Sequence, residues 1–167
     1  MTQTESAATN KSDVMCPLKS LMNFDWERLR EKLDQFVIAL ENDDRKRALP
    51  LWHEFEARLR HRFGLERWLQ QICVRADLPD LDLWMAKQQS LHRTLLQLSA
   101  RLDLNLLRSE QVRAFSRLLK TYGHQERSVL AWAEKHISED ARGHLVEALR
   151  DPLGDSQNDS DQFRVCG

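Results

Sequence analysis

Between about residue 17 and residue 149 every apolar pattern in this chain recurs at steps of three and four, and no window alternates with the period of two that a strand requires. A chain written in that way folds into helices that each bury one face, so the class is all-α. The first helix is expected over residues 17 to 41, with the stripe Leu18, Leu21, Met22, Trp26, Leu29, Leu33, Phe36, Val37 and Leu40. Residues 42 to 44 end it and supply capping oxygens for the second, which carries Leu49, Trp52, Phe55, Leu59, Phe63, Leu69 and Ile72 to about residue 75. Pro50 lies inside that stretch and predicts a kink or a fresh start.

Residues 76 to 80 connect to a third helix, with Pro79 suited to its first turn and Leu81, Trp84, Met85, Leu91, Leu95, Leu98 and Leu102 on its stripe. Ser109 is expected to cap the fourth, which shows Val112, Phe115, Leu118, Leu119, Tyr122, Val129, Leu130 and Ala133 and runs to about residue 137. Ser138 then caps a short fifth helix, with Glu139 and Asp140 favourably placed against its dipole. Four long amphipathic helices with short connections pack best as neighbours running in opposite senses, the up-down-up-down antiparallel four-helix bundle. Residues 1 to 15 and 151 to 167 are polar, lack apolar periodicity and read as disordered tails around one bundle domain at 16 to 150.

Charge and composition narrow the possible partners. With 25 Lys+Arg against 26 Asp+Glu the net charge is -1, which gives no reason to expect nucleic acid or an anionic membrane. Nothing approaches the ~18 consecutive apolar residues of a membrane helix. Cys16, Cys73 and Cys166 form neither a zinc knuckle nor a redox pair, and no apolar signal segment precedes them, so a reducing, cytoplasmic setting is expected. There is no Gly-x-Ser-x-Gly elbow and no phosphate-cradling loop, and Cys73 has no motif around it, so the chain reads as a non-enzyme.

Chemistry concentrates in two similar segments, Leu59-x-x-Arg62-x-x-x-Glu66-Arg67-x-Leu69 and Leu118-x-x-x-Tyr122-x-x-x-Glu126-Arg127-x-Val129. Residues four apart share a helical face, and Leu59, Leu69, Leu118 and Val129 turn that face inward, so Glu66 and Glu126 should meet near the bundle axis. The third helix adds Gln88 and His92, also four apart, and His92 reads as the one histidine of six on a core face. His61 and His124 are rotated roughly 100° and 200° away from the inward face at helical pitch. An inward pair of Glu with a His is what a carboxylate-rich iron or manganese site needs.

The succession PLKSLMNFDWERLREKLDQFVIAL, LWHEFEARLRHRFGLERWL, HRTL and LLKTYGHQERSVLAWAEKHIS resembles the helices of the hemerythrin family and its His-His-Glu cation-binding relatives, over residues 17 to 149. The resemblance implies a non-haem di-iron centre, with Glu66, His92 and Glu126 matching the family's ligands. It also implies that Trp26, Arg62 and Tyr122 stand where the family has His on the first, second and fourth helices, and Gln88 where a second His of the third helix would be. Trp cannot ligate, Arg keeps its proton, and Tyr122 could ligate as a phenolate alone, so the metal set is reduced to Glu66, His92, Glu126 and Tyr122. Arg62 can replace what a metal does for buried carboxylates, and an Arg-centred polar cluster is predicted.

The remaining signals have plain structural readings. His53, His61, His124, His136 and His144 read as surface or connector residues, and the five Trp as core packing. Arg58, Arg60, Arg62 and Arg67, interleaved with Glu54, Glu56 and Glu66, read as a solvated helix face, as does the run from Asp43 to Arg47. The expected function is therefore a hemerythrin-like, non-catalytic binding or regulatory module without a cofactor, its di-iron site largely lost, with a protein partner that the sequence does not name. The alternative is a protein that binds non-haem iron through Glu66, His92 and Glu126 for oxygen or iron sensing or storage. A third is a sigma-factor-binding regulator, from the likeness of Phe63-Gly-Leu-Glu66 to runs in such helical regulators.

Overall fold

The computed structural model describes residues 18–75, 78 and 80–150; the expected tails, Pro79, Cys16 and Cys166 lie outside the described residues. The described chain forms five helices, α1 (Leu18–Glu41), α2 (Arg45–Arg75), α3 (Leu81–Asp103), α4 (Ser109–His136) and α5 (Glu139–Arg150), with no strand among them. None of these helices is long and apolar enough to cross a membrane.

Local chemistry sets the boundaries. Asp43 and Asn105, with φ of 55° and 57°, take the left-handed conformation just past the ends of α1 and α3, and Asp80, at 60°, takes it just before α3. Asp and Asn tolerate that region because their short polar side chains bond locally. Asp44 Oδ1 accepts the Arg47 N–H at 3.1 Å, and Ser138 Oγ accepts the Ala141 N–H at 3.2 Å, so both act as N-caps. At α4 the cap is shifted from the expected position: Ser109 is already helical, and the Gln111 side chain reaches back to the Arg108 N–H at 3.1 Å. Pro50 neither breaks nor restarts α2, which runs through it. The carbonyl whose helical donor Pro50 removes belongs to Lys46, an exposed residue in the first turn, where the loss costs least.

Helix α1 packs on α2, α4 and α5, while α3 packs on α4 and α2. From α1 to α2 the contacts descend one helix as they climb the other, through Phe36 with Trp52, Lys32 with Glu54 and Asp25 with Arg58. From α2 to α3 they behave alike, through Trp52 with Ser99, Phe63 with His92 and Gln70 with Gln88. Residues of α2 and α4 instead advance together, Phe55 meeting Phe115 and Arg62 meeting Glu126. Arg45 bonds the Asn105 side chain and Arg113 bonds Glu41 at 2.6 Å, which brings the α1–α2 and α3–α4 connections to the same end.

The core is continuous from Leu18, Met22, Leu29 and Leu33 on α1 to Leu119, Leu130 and Ala133 on α4, all buried. Near the end marked by the two connections it is aromatic: Phe36, Trp52, Phe55 and Phe115 form a row with centroids 4.9, 5.5 and 6.3 Å apart. Leu118 departs from the expected inward stripe. It is 52 % exposed, and the buried face of α4 is Phe115, Leu119, Tyr122, Glu126 and Leu130, to which Leu118 stands one residue, about 100°, out of phase. Leu119→Ala is therefore expected to cost about 2–5 kcal/mol and Leu118→Ala no more than about 0.5 kcal/mol, read by urea denaturation of the two variants side by side.

A buried arginine-centred candidate site

The inward face of α2 reads Phe55, Arg58, Leu59, Arg62, Phe63, Glu66, Leu69, Gln70 and Cys73, all buried and spaced by the helical period, so polar residues take turns with apolar ones on one stripe. Arg62 is its centre. It is 1 % exposed, and its guanidinium engages three carboxyl groups at once. Nη2 donates to Glu126 Oε2 at 2.6 Å, Nη1 to Asp25 Oδ2 at 2.8 Å, and Nε to Glu66 Oε1 at 3.2 Å. A further bond from Nη1 reaches the Met22 carbonyl of α1 at 3.3 Å. The face of the guanidinium lies over the Trp26 ring, with Cζ 4.1 Å from the centroid.

The surrounding residues complete the network. Trp26 Nε1–H donates to Glu126 Oε2, and the Tyr122 hydroxyl donates to Glu66 Oε2. Gln88 Nε2 donates to Glu66 Oε2 at 2.8 Å and to the Phe63 carbonyl at 3.3 Å, while Gln88 Oε1 accepts from Gln70 at 3.3 Å. Arg58 Nε donates to Asp25 Oδ1 at 3.4 Å. Gly123 lets α4 lie close to Trp26: a Cβ there would stand 3.4 Å from the indole.

Electrostatics follow from this geometry. Burial alone would lower the pKa of Arg62, but the charges of Glu126, Glu66 and Asp25 outweigh it and hold the group above its ordinary range. Burial first, and then the charge of Glu126, push Glu66 well above the usual carboxyl range against the pull of Arg62. Burial also raises Tyr122, helped by Glu66 and Glu126, so it is a neutral phenol and a donor. Three carboxyl groups, Asp25, Glu66 and Glu126, thus face two guanidinium groups, Arg58 and Arg62, in a core that penalises unpaired charge. Glu126 Oε1 is buried without a hydrogen-bond partner among the described residues.

Of the residues singled out from the sequence, Glu66, Glu126, Tyr122, Arg62, Trp26 and Gln88 come together here. His92 does not join them. It is half-buried, packs edge-on against Phe63 with centroids 6.0 Å apart, and makes no hydrogen bond among the described residues. His61 is half-buried rather than fully exposed, its Nε2 lying 3.3 Å from the Ala148 carbonyl of α5. The reading of Arg58 and Arg62 as part of a solvated face is corrected, because both are buried against Asp25. Asp25 itself was not anticipated, although it lies three residues after Met22 and four before Leu29, on the α1 stripe.

The di-iron centre that the resemblance implies does not fit these residues. A guanidinium, which stays protonated, is seated between the two Glu that would bridge or ligate, and Tyr122 is a donor rather than a phenolate. Among the described residues no three His, Cys, Asp or Glu side chains are grouped so as to hold a metal ion. Comparisons with family models, with curated proteins and with solved structures find no match to this chain.

Two predictions follow from the cluster. Arg62→Met leaves buried carboxylates without a counter-charge and is expected to lower stability by about 3–5 kcal/mol at neutral pH, measured by urea denaturation. The second concerns Glu66, whose pKa is raised on folding. Its contribution is fully present below the unfolded value of 4.5 and is lost as pH rises through the raised folded value. The stability of the wild-type chain relative to Glu66→Gln should therefore fall as pH climbs above that lower value; a difference that stays flat with pH would show that folding leaves the Glu66 pKa unshifted.

Proposed function

We propose that this chain is a hemerythrin-like, up-down-up-down four-helix module in which a permanent side-chain cation has taken the place of a metal centre, and that it acts as a non-catalytic binding or regulatory protein in the cytoplasm. The observation that carries this reading is the Arg62 guanidinium, bonded to Glu66 and Glu126 in the dry interior, at the position where the family's ligands would converge. The helical sense is supported by contacts that run oppositely between α1 and α2 and between α2 and α3, and together between α2 and α4.

A non-catalytic role is supported by how the interior groups are engaged. Asp25, Glu66, Gln88 and Tyr122 are bonded to one another or to Arg58 and Arg62, so these interior groups are engaged with each other rather than turned to a substrate. The function then rests on the outer surfaces of the helices, with the interior fixing their positions. Expression with iron supplied, followed by metal analysis of the purified chain, tests the reading: well under one iron per chain is expected, with no oxo-bridge absorption. Two irons per chain would overturn it.

A further inference from the structure

A surface cleft of about 280 Å³ lies between α2 and α3, lined by Arg60, Phe63, Arg67, Gln88, Gln89 and His92. Its position follows from helical spacing. Residues 60, 63 and 67 share one face of α2, and 88, 89 and 92 share the facing side of α3. The lining holds two guanidinium groups, an imidazole and two amides around one aromatic ring, and no carboxylate.

We propose that this cleft is a binding site for a small planar organic carboxylate, its charged end held by Arg67 and His92 and its flat body against Phe63. Arg67 is exposed and makes no ion pair or hydrogen bond among the described residues, so its planar fork of donors is free to take a carboxylate side-on. Arg60 is held by Glu56 through bonds of 2.6 and 3.1 Å, so it is fixed in place while part of its charge is offset. Arg67 is therefore the principal anion contact.

The floor gives the ligand its shape. Phe63 is buried, packed against Tyr122 and His92, so only a narrow apolar strip of the ring reaches the cleft, where it suits the edge of a flat group. Gln88 adds no donor, since its amide already bonds Glu66 and the Phe63 carbonyl; the polar recognition is thereby confined to the rim. A cleft of this size is at the small end of ligand sites, which run from roughly 300 Å³ upward, and matches a single ring better than a nucleotide or a peptide. Glu66 lies behind Gln88, inside the core, so the inference does not depend on whether the interior binds metal.

The test is titration of sodium benzoate into the full chain, followed calorimetrically and by backbone amide shifts, with benzamide and inorganic phosphate as comparison probes. Saturable benzoate binding with shifts centred on Gln88, Gln89 and His92 is expected, together with much weaker binding of benzamide and of phosphate. Arg67→Gln removes the fork and Gln89→Glu places a repelling carboxylate in the cleft; both are exposed positions, and each should weaken benzoate binding by about tenfold or more. The proposal is overturned by absence of saturable binding up to about 10 mM benzoate. Equal affinity for benzamide would deny the charge requirement, equal affinity for phosphate would deny the planar body, and unchanged binding in both variants would place the ligand elsewhere.

Discussion

Everything in the interior of this chain is arranged around one guanidinium. Arg62 cannot lose its proton, so once it is placed in a core the surroundings must supply negative charge and acceptors, or the fold fails by several kcal/mol. Three helices answer that demand: α1 with Asp25 and the Met22 carbonyl, α2 with Glu66 one turn further on, and α4 with Glu126. The helix α3 joins at one remove, through the bond from Gln88 to Glu66. Apolar packing of Leu on Leu tolerates small slides, whereas a slide of one helical turn, ~5.4 Å, would break each of these bonds that crosses from α2 to α1 or α4. The cluster therefore fixes the relative heights of α1, α2 and α4, a role that the aromatic row near the other end of the core cannot fill alone.

How much of this was legible in the sequence depended on whether spacing and residue type agreed. Where they agreed, as at Leu29, Leu33, Phe55 or Leu95, periodicity placed the residue correctly, and the helix ends followed from Asp44 and Ser138. Glu66, Tyr122 and Glu126 were also legible, because two copies of an i, i+4 polar pair on apolar stripes are hard to place outside, whereas Arg62 drew two readings, cluster centre and solvated face, of which the first holds. Asp25 and Arg58 were not legible, since a charged residue beside Trp26 or just after Glu54 and Glu56 reads as solvated until its partner is known. Each is buried only because the other is there, and Asp25 meets Arg58 and Arg62 across a gap of 33 and 37 residues that no local pattern encodes. Leu118 failed in the opposite sense: two adjacent Leu gave a choice of faces, and the polar pair Tyr122 and Glu126 was the feature that decided it.

A guanidinium and a metal ion solve the same electrostatic problem with different chemistry. Either offsets buried carboxylates, but a metal offers open positions that a ligand can enter and leave, while Arg62 presents N–H donors in a fixed plane, with bonds to Glu126, Asp25, Glu66 and the Met22 carbonyl and one face covered by Trp26. The raised pKa of Glu66 belongs to the same account. Three carboxyl groups face two guanidinium groups, and at Glu66 burial and the charge of Glu126 push the carboxyl well above its usual range against the opposing pull of Arg62 and the Tyr122 donor.

The interior and the α2–α3 cleft meet at Gln88 and Phe63, and these two residues keep them apart. Both hydrogens of the Gln88 amide are taken by Glu66 and by the Phe63 carbonyl, which ties α3 to α2 at that height, while the Phe63 ring packs against Tyr122 on one side and His92 on the other. A ligand in the cleft would touch the outer side of that seam, and the carboxylates would stay dry behind it. Communication between them, if the cleft is filled, can pass only through movement of this seam, because any displacement of Gln88 removes a donor from Glu66 and so alters the balance that Arg62 maintains.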